Sequence, residues 1–313
     1  MMSGHSRTRI AGALAGATLL AATACGADAG TGGAPGDTPQ VVAAFYPLQW
    51  LTEQVGGSDI QVTSLTTPGV EPHDLELGAH QMAQLEDAAL TVYIKGVQPA
   101  VDEAVSPDTS FDAATAVQTI PIGGHDHGDE HAHEEGEEGH DHGVPYDPHL
   151  WLDPSRLATV ATALGERLAA ADPAHAQDFK DRAAATAASL TALDQEFSQG
   201  LATCSTRTMI TAHSAFGYLA DRYKLKQVGI TLDPEAEPSP ARLAEVADLA
   251  KREKVTTIFA EKLVSPKVAE VLAGEVGART AVLDPLESAP EGDYVSAMRD
   301  NLKTLQTALG CTT

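Results

Sequence analysis

Residues 173–201 read PAHAQDFKDRAAATAASLTALDQEFSQGL, and they decide the architecture. No Gly or Pro interrupts the run between Pro173 and Gly200, and Phe179, Ala183, Leu190, Leu193, Phe197 and Leu201 recur at helical spacing. The spacing predicts one stiff helix about 40 Å long at 1.5 Å per residue, enough to run along two lobes. On both sides of it, apolar runs of strand length alternate with helical patterns, the rhythm of a parallel sheet. Before the helix the expected strands are 41–45, 60–65, 90–94 and 116–122, with helices over 48–55, 79–88, 99–105 and 154–170. After it they are 208–211, 227–230, 256–260 and 280–283, with helices over 215–223, 240–252, 266–276 and 294–309. The expected fold is therefore α/β, two four-stranded lobes joined by a long rigid helix.

The chain has 313 residues, 44 acidic against 20 basic, and a formal net charge of −24. That sign argues against nucleic acid, whose binding rests on phosphate neutralisation by Lys and Arg. Arg7 and Arg9 precede an apolar run from Ile10 to Ala24 that is short for a membrane span and has the layout of a secretory signal peptide. The run ends in LAATACG (residues 20–26), similar to a bacterial lipobox in which Cys25 is lipidated. A Gly-, Ala-, Pro- and Thr-rich stretch then reads as a flexible tether. The expected boundaries are a signal peptide over 1–24, a tether over 25–39, an N-terminal lobe over 40–172, the linking helix over 173–201 and a C-terminal lobe over 202–313. Two further cysteines, Cys204 and Cys311, are expected to form a disulfide in an oxidising compartment. The chain-entropy model gives such a bridge about 4–5 kcal/mol.

Open parallel sheets bind ligands at the carboxyl ends of their strands. The polar residues just past the expected strands are His73 and His149 in the first lobe, and His213 and Asp284 in the second. Three imidazoles and one carboxylate suit the tetrahedral N/O preference of zinc, and the carboxylate offsets part of the dication's charge.

The segments that hold them, GVEPHDLEL (69–77), DPHLWLDP (147–154), TAHSAFGYLADRY (211–223) and LDPLE (283–287), resemble the metal-receptor class of ABC-importer solute-binding proteins. The resemblance runs from about Val41 to Gly310. It implies two (β/α)₄ lobes, a rigid connecting helix, limited closure and a metal site in the interlobe cleft. Carried over by position, His73, His149 and His213 match the ligand histidines and Asp284 the carboxylate. Zinc members vary in the fourth ligand, so Glu71 and Glu287 are alternatives, and Glu261 is placed to orient an imidazole. Manganese and iron members usually carry Glu where this chain has His213, and imidazole favours zinc and later metals. The resemblance further implies a monomeric receptor, not an enzyme, that is lipid-anchored at the outer face of the bacterial cytoplasmic membrane. Its partners would be an importer permease and a separate ATPase.

Residues 124–142, GHDHGDEHAHEEGEEGHDH, hold six of the chain's 12 His and eight acidic residues. With no apolar residue larger than Ala, the segment 124–143 reads as a loop outside the packed core. Its histidines, His125, His127, His131, His133, His140 and His142, form pairs that can share a metal, so the loop is read as an auxiliary zinc site that feeds the cleft. Two competing functions remain at this point: an extracellular zinc store or adhesin-like lipoprotein, and a zinc hydrolase, which shares the His₃ donor set but lacks an HExxH motif.

Overall fold

A computed structural model describes residues 38–122 and 144–312. The signal peptide, Cys25, nearly all of the tether and the histidine-rich segment lie outside the described residues. The first half forms β1 (Gln40–Ala43), α1 (Tyr46–Gly56), β2 (Gln61–Ser64), α2 (Ala79–Asp87), β3 (Leu90–Tyr93), α3 (Pro99–Ala104), β4 (Ser110–Asp112) and α4 (Pro154–Ala171). After α5 (Ala176–Gly200) come β5 (Thr208–His213), α6 (Gly217–Tyr223), β6 (Lys226–Thr231), α7 (Pro240–Glu253), β7 (Thr257–Ala260), α8 (Lys267–Val276), β8 (Arg279–Val282) and α9 (Tyr294–Leu309). Both sheets are wholly parallel and have the same topology, β2-β1-β3-β4 and β6-β5-β7-β8. In each, the chain leaves the first strand to one side and returns on the other, which opens a crevice at the carboxyl edge.

The expected fourth strand over 116–122 is not one. The first sheet ends instead on Ser110–Asp112, and Asp112 accepts a hydrogen bond from Ala114 N–H to start a short 3₁₀ turn. The backbone of 117–122 is used elsewhere. Gln118 O accepts from Arg156, Ile120 N–H donates to Tyr218 Oη, Ile120 O accepts from Asp147 N–H, and Pro121 makes an isolated bridge to Tyr146.

The long helix begins with a 3₁₀ turn, Pro173–His175, capped by Asp172, and continues as α5. Its apolar stripe, Phe179, Ala183, Leu190, Leu193 and Phe197, is buried. The amino-terminal half lies against α1 and α4, and the rest also meets α9. Gly165 permits the close approach to α4, since a Cβ there would sit 2.5 Å from Ala183 Cβ. Arg182 takes the carbonyls of Val55 and Gly56 at the end of α1 and pairs with Asp59. Farther along, Asp194 forms a two-pronged pair with Arg222 of α6, and Glu196 another with Arg299 of α9. Planar guanidinium–carboxylate pairs of this kind fix orientation as well as contact.

One apolar core runs from the first sheet through α4, α5 and α9 into the second lobe, and a smaller one packs β5–β7 under α7 and α8. Between the lobes Trp50 stacks on Tyr294 with ring centres 4.8 Å apart. Trp151 Nε1 donates to Pro285 O at 2.7 Å, and Tyr294 Oη donates to Trp151 O. A continuous, hydrogen-bonded core of this sort opposes wide rigid-body opening. Cys204 and Cys311 form the disulfide, which ties the segment before β5 to the end of α9.

Candidate metal centre

The loops that leave the carboxyl edges bring His73, His149, His213 and Glu287 together, all buried, with one donor atom from each within 4.8 Å of the others. His73 Nε2 lies 3.3 Å from His149 Nε2 and 3.4 Å from Glu287 Oε1. His213 Nε2 lies 3.6 Å from Glu287 Oε1, and His149 Nε2 lies 3.9 Å from it. A tetrahedron of donors about 2.0–2.1 Å from a zinc ion has edges of about 3.3–3.4 Å. The His73–His149 and His73–Glu287 separations match those edges, and the other donors lie within 4.8 Å.

Each element contributes for a local reason. His213 ends the buried strand β5, in register with Thr231 of β6. Its Nδ1 lies 2.6 Å from Glu261 Oε2, and its N–H donates to Glu261 Oε1 at 3.0 Å, so the residue following β7 grips both ring and backbone. His149 is held the same way by Asp147, with Nδ1 at 2.7 Å and N–H at 2.9 Å from Oδ1. A carboxylate on one ring nitrogen aims the other at the cluster and raises its basicity. Asp147 lies within the quoted DPHLWLDP segment but received no role from sequence; carboxylate and imidazole two residues apart was the available signal. His73 N–H donates to Glu71 Oε1 at 3.2 Å, which places a second carboxyl group beside the cluster.

Charges follow from this packing. Burial pushes Glu287 up, but hydrogen bonds from His213 and His73 outweigh it and hold the carboxyl below the usual range. Burial lowers His213, yet Glu261 and Glu287 together carry the imidazole well above its ordinary value. His73 is likewise raised, with Glu287 and Glu71 overcoming burial, whereas burial beside two other histidines leaves His149 lowered despite Asp147. Burial and the Glu287 charge push Glu71 up to about 8. Three imidazoles can receive a dication here, and Glu287, Glu261 and Asp147 supply the compensating charge.

Asp284, expected as the fourth member, lies outside the cluster. Its Oδ2 pairs with Lys262 Nζ at 2.6 Å, and its Oδ1 accepts from Leu286 N–H at 2.9 Å. Leu286 adopts a left-handed φ of 61°, and this turn presents Glu287 to the histidines instead. The auxiliary histidines of the 124–143 loop lie outside the described residues.

A profile of the family described as zinc-uptake complex component A, periplasmic, matches residues 41–308. The chain belongs to this family. Among its relatives, the zinc-binding lipoprotein AdcA of Streptococcus pneumoniae is 37% identical over 278 residues, covering 85% of this chain and 55% of that protein. The zinc-binding protein AdcA of Streptococcus pyogenes is 36% identical over 286 residues, with the same coverage. The chain thus spans about half the length of these curated relatives. The Zn(II)-bound ZnuA-like domain of Streptococcus pneumoniae AdcA superposes with a TM-score of 0.71 at 33% identity, covering 87% of this chain and 99% of the domain. The laminin-binding protein of Streptococcus agalactiae, described as having adhesin and metal-transporting activity, gives 0.75 at 31% identity, covering 87% and 99%. Both neighbours share the two-lobed architecture. No helix among the described residues is long and apolar enough to cross a membrane.

Proposed function

We propose that this chain is an extracytoplasmic receptor that captures zinc between its lobes and delivers it to an ABC-type importer. The observation that carries the reading is the buried set of three Nε2 atoms and one carboxylate oxygen at near-tetrahedral separations. Four protein donors close the coordination shell, as binding requires, whereas catalytic zinc keeps a position open for water. The names of the AdcA relatives support zinc as the ligand and a lipoprotein as the form. The leader over 1–24 exports the chain, Cys25 carries the lipid, and the tether over 25–39 lets a monomer reach a permease whose ATPase is a separate protein. The 40–172 and 202–313 lobes, braced by the 173–201 segment, hold the ion between them, and the histidine-rich loop concentrates zinc ahead of the cleft.

An adhesin-like role is the second reading, favoured by the laminin-binding structural neighbour. Competition titration of the full chain against a zinc chelator tests the first. His149→Ala and His213→Ala each weaken binding at least a hundredfold, while His175→Ala, an exposed residue paired with Asp172, changes it less than twofold. Equal affinities among the three variants would reject the cleft as the site. Laminin binding unaffected by chelation, with no zinc uptake phenotype on deletion, would favour the second reading.

A further inference from the structure

A buried metal cluster needs a moving part, since an ion cannot pass through side chains that are almost wholly enclosed. The lobes are poorly suited to supply that motion. Their interface holds the Trp50–Tyr294 stack and the buried hydrogen bonds from Trp151 to Pro285 O and from Tyr294 to Trp151 O. Separating them exposes aromatic surface and strips buried polar groups of their partners.

The loop from Thr66 to His73 is different. Its base is fixed, because Thr66 N–H and Oγ1 both donate to Ala44 O and Gln98 Nε2 donates to Thr66 Oγ1. Its apex is Gly69, at a φ of 85° that favours glycine, with open space where a Cβ would stand. Val70 beside it is 44% exposed. At this apex Gly69 N–H donates to Ser288 Oγ, across the cleft, at 2.6 Å. Ser288 directly follows Glu287, and the loop carries Glu71 and His73. This one exposed hydrogen bond therefore joins the segment bearing His73 to the segment bearing Glu287.

We propose that Ser288 is a positioning residue: through Gly69 it latches the 66–73 loop over the cluster and sets how long a captured ion stays. The inference rests on the zinc-receptor reading above. The latch is an exposed bond outside the packed core, and releasing it lets the loop swing about Thr66 and draw His73 away. The ion then faces three donors and open solvent, from which transfer to a partner is easier than from a closed shell. The latch thus acts on release more than on capture.

The test uses the full chain loaded with one equivalent of zinc and mixed rapidly with excess chelator. Ser288→Ala, a change at the protein surface, accelerates release by roughly three- to tenfold, the effect of removing one ordinary hydrogen bond. Ser288→Thr keeps the hydroxyl and restores the wild-type rate. An unchanged rate in Ser288→Ala, or an accelerated rate that Ser288→Thr does not restore, overturns the latch. Wild-type protein that takes up no zinc tightly would instead overturn the receptor reading, so the two failures are distinguishable.

Discussion

Asp147 reaches from the first lobe to lie against Gly217 of the second, so close that a Cβ on Gly217 would stand 2.2 Å from its Oδ2. The other oxygen of that carboxylate holds the ring and backbone of His149. The first turn of α6 therefore needs a bare Cα for His149 to be aimed correctly. Gly217→Ala is expected to displace Asp147 and weaken zinc binding by about 10- to 100-fold, the usual effect of losing a partner that orients a ligand. Helix propensity alone favours Ala at such a position, so a thermal melt in chelator should show little loss of stability. Isothermal titration with zinc checks the affinity.

The three carboxylates near the cluster should separate cleanly. Glu287→Gln removes the anionic donor and lowers affinity at least tenfold. Asp284→Asn loses only the Lys262 pair and one turn contact, and shifts affinity less than threefold. Glu71→Gln resembles the neutral acid expected near pH 7 for a carboxyl pushed up to about 8, and likewise changes affinity less than threefold. A chelator competition series on the three variants gives the order directly.

Zinc binding should release protons. A histidine held well above its ordinary value of about 6.5 is imidazolium at neutral pH, and zinc takes only the neutral ring. His213 and His73 are raised, and His149 is lowered. His213, the one raised well above the ordinary value, therefore surrenders a proton on binding at neutral pH, and the raise at His73 adds to the release as pH falls. Below the raised values affinity falls with falling pH, about tenfold per unit for each proton displaced. Calorimetry at pH 7 in two buffers of different ionisation enthalpy should report release of at least one proton; no release would contradict the protonation of His213.

The Cys204–Cys311 bridge closes a separation of 107 residues, worth about 4–5 kcal/mol in the chain-entropy model. It sits before β5, at the edge of the sheet opposite His213. The Cys204→Ala/Cys311→Ala double variant should melt on the order of 10 °C lower, yet bind zinc as the wild type does. Differential scanning calorimetry paired with titration separates the two effects.

Deleting 124–143 should lower zinc stoichiometry and leave one tight site. The six histidines of that segment add donors outside the cleft, while the tight site rests on His73, His149, His213 and Glu287. Loss of all tight binding on deletion would contradict the auxiliary role given to the loop.

Most of the fold was legible because its signals are local. β-branched runs such as Val41-Val42 and cap–proline pairs such as Asp153-Pro154 and Ser239-Pro240 mark strands and helix starts without help from tertiary contacts, and both cap side chains accept hydrogen bonds from the first helical turn. The fourth strand was not legible. Ser110–Asp112 is short and half-polar, while the apolar alternation of 116–122 serves the contact between lobes, where its backbone bonds to Arg156, Tyr218 and Asp147. The three histidines stood out as polar residues past strand ends. Glu287 over Asp284 depended on a leucine held at positive φ, a conformation that no residue pattern announces. Gly217 as a spacer for Asp147 was hidden for a similar reason, since the two meet only after the lobes are assembled.

The most direct test of the account is an anomalous-difference map at the zinc absorption edge from zinc-loaded crystals. The account predicts one strong cleft peak about 2.0–2.2 Å from the Nε2 atoms of His73, His149 and His213 and from a Glu287 oxygen, with Asp284 still paired to Lys262. A peak ligated by Asp284, or none between the lobes, would contradict it.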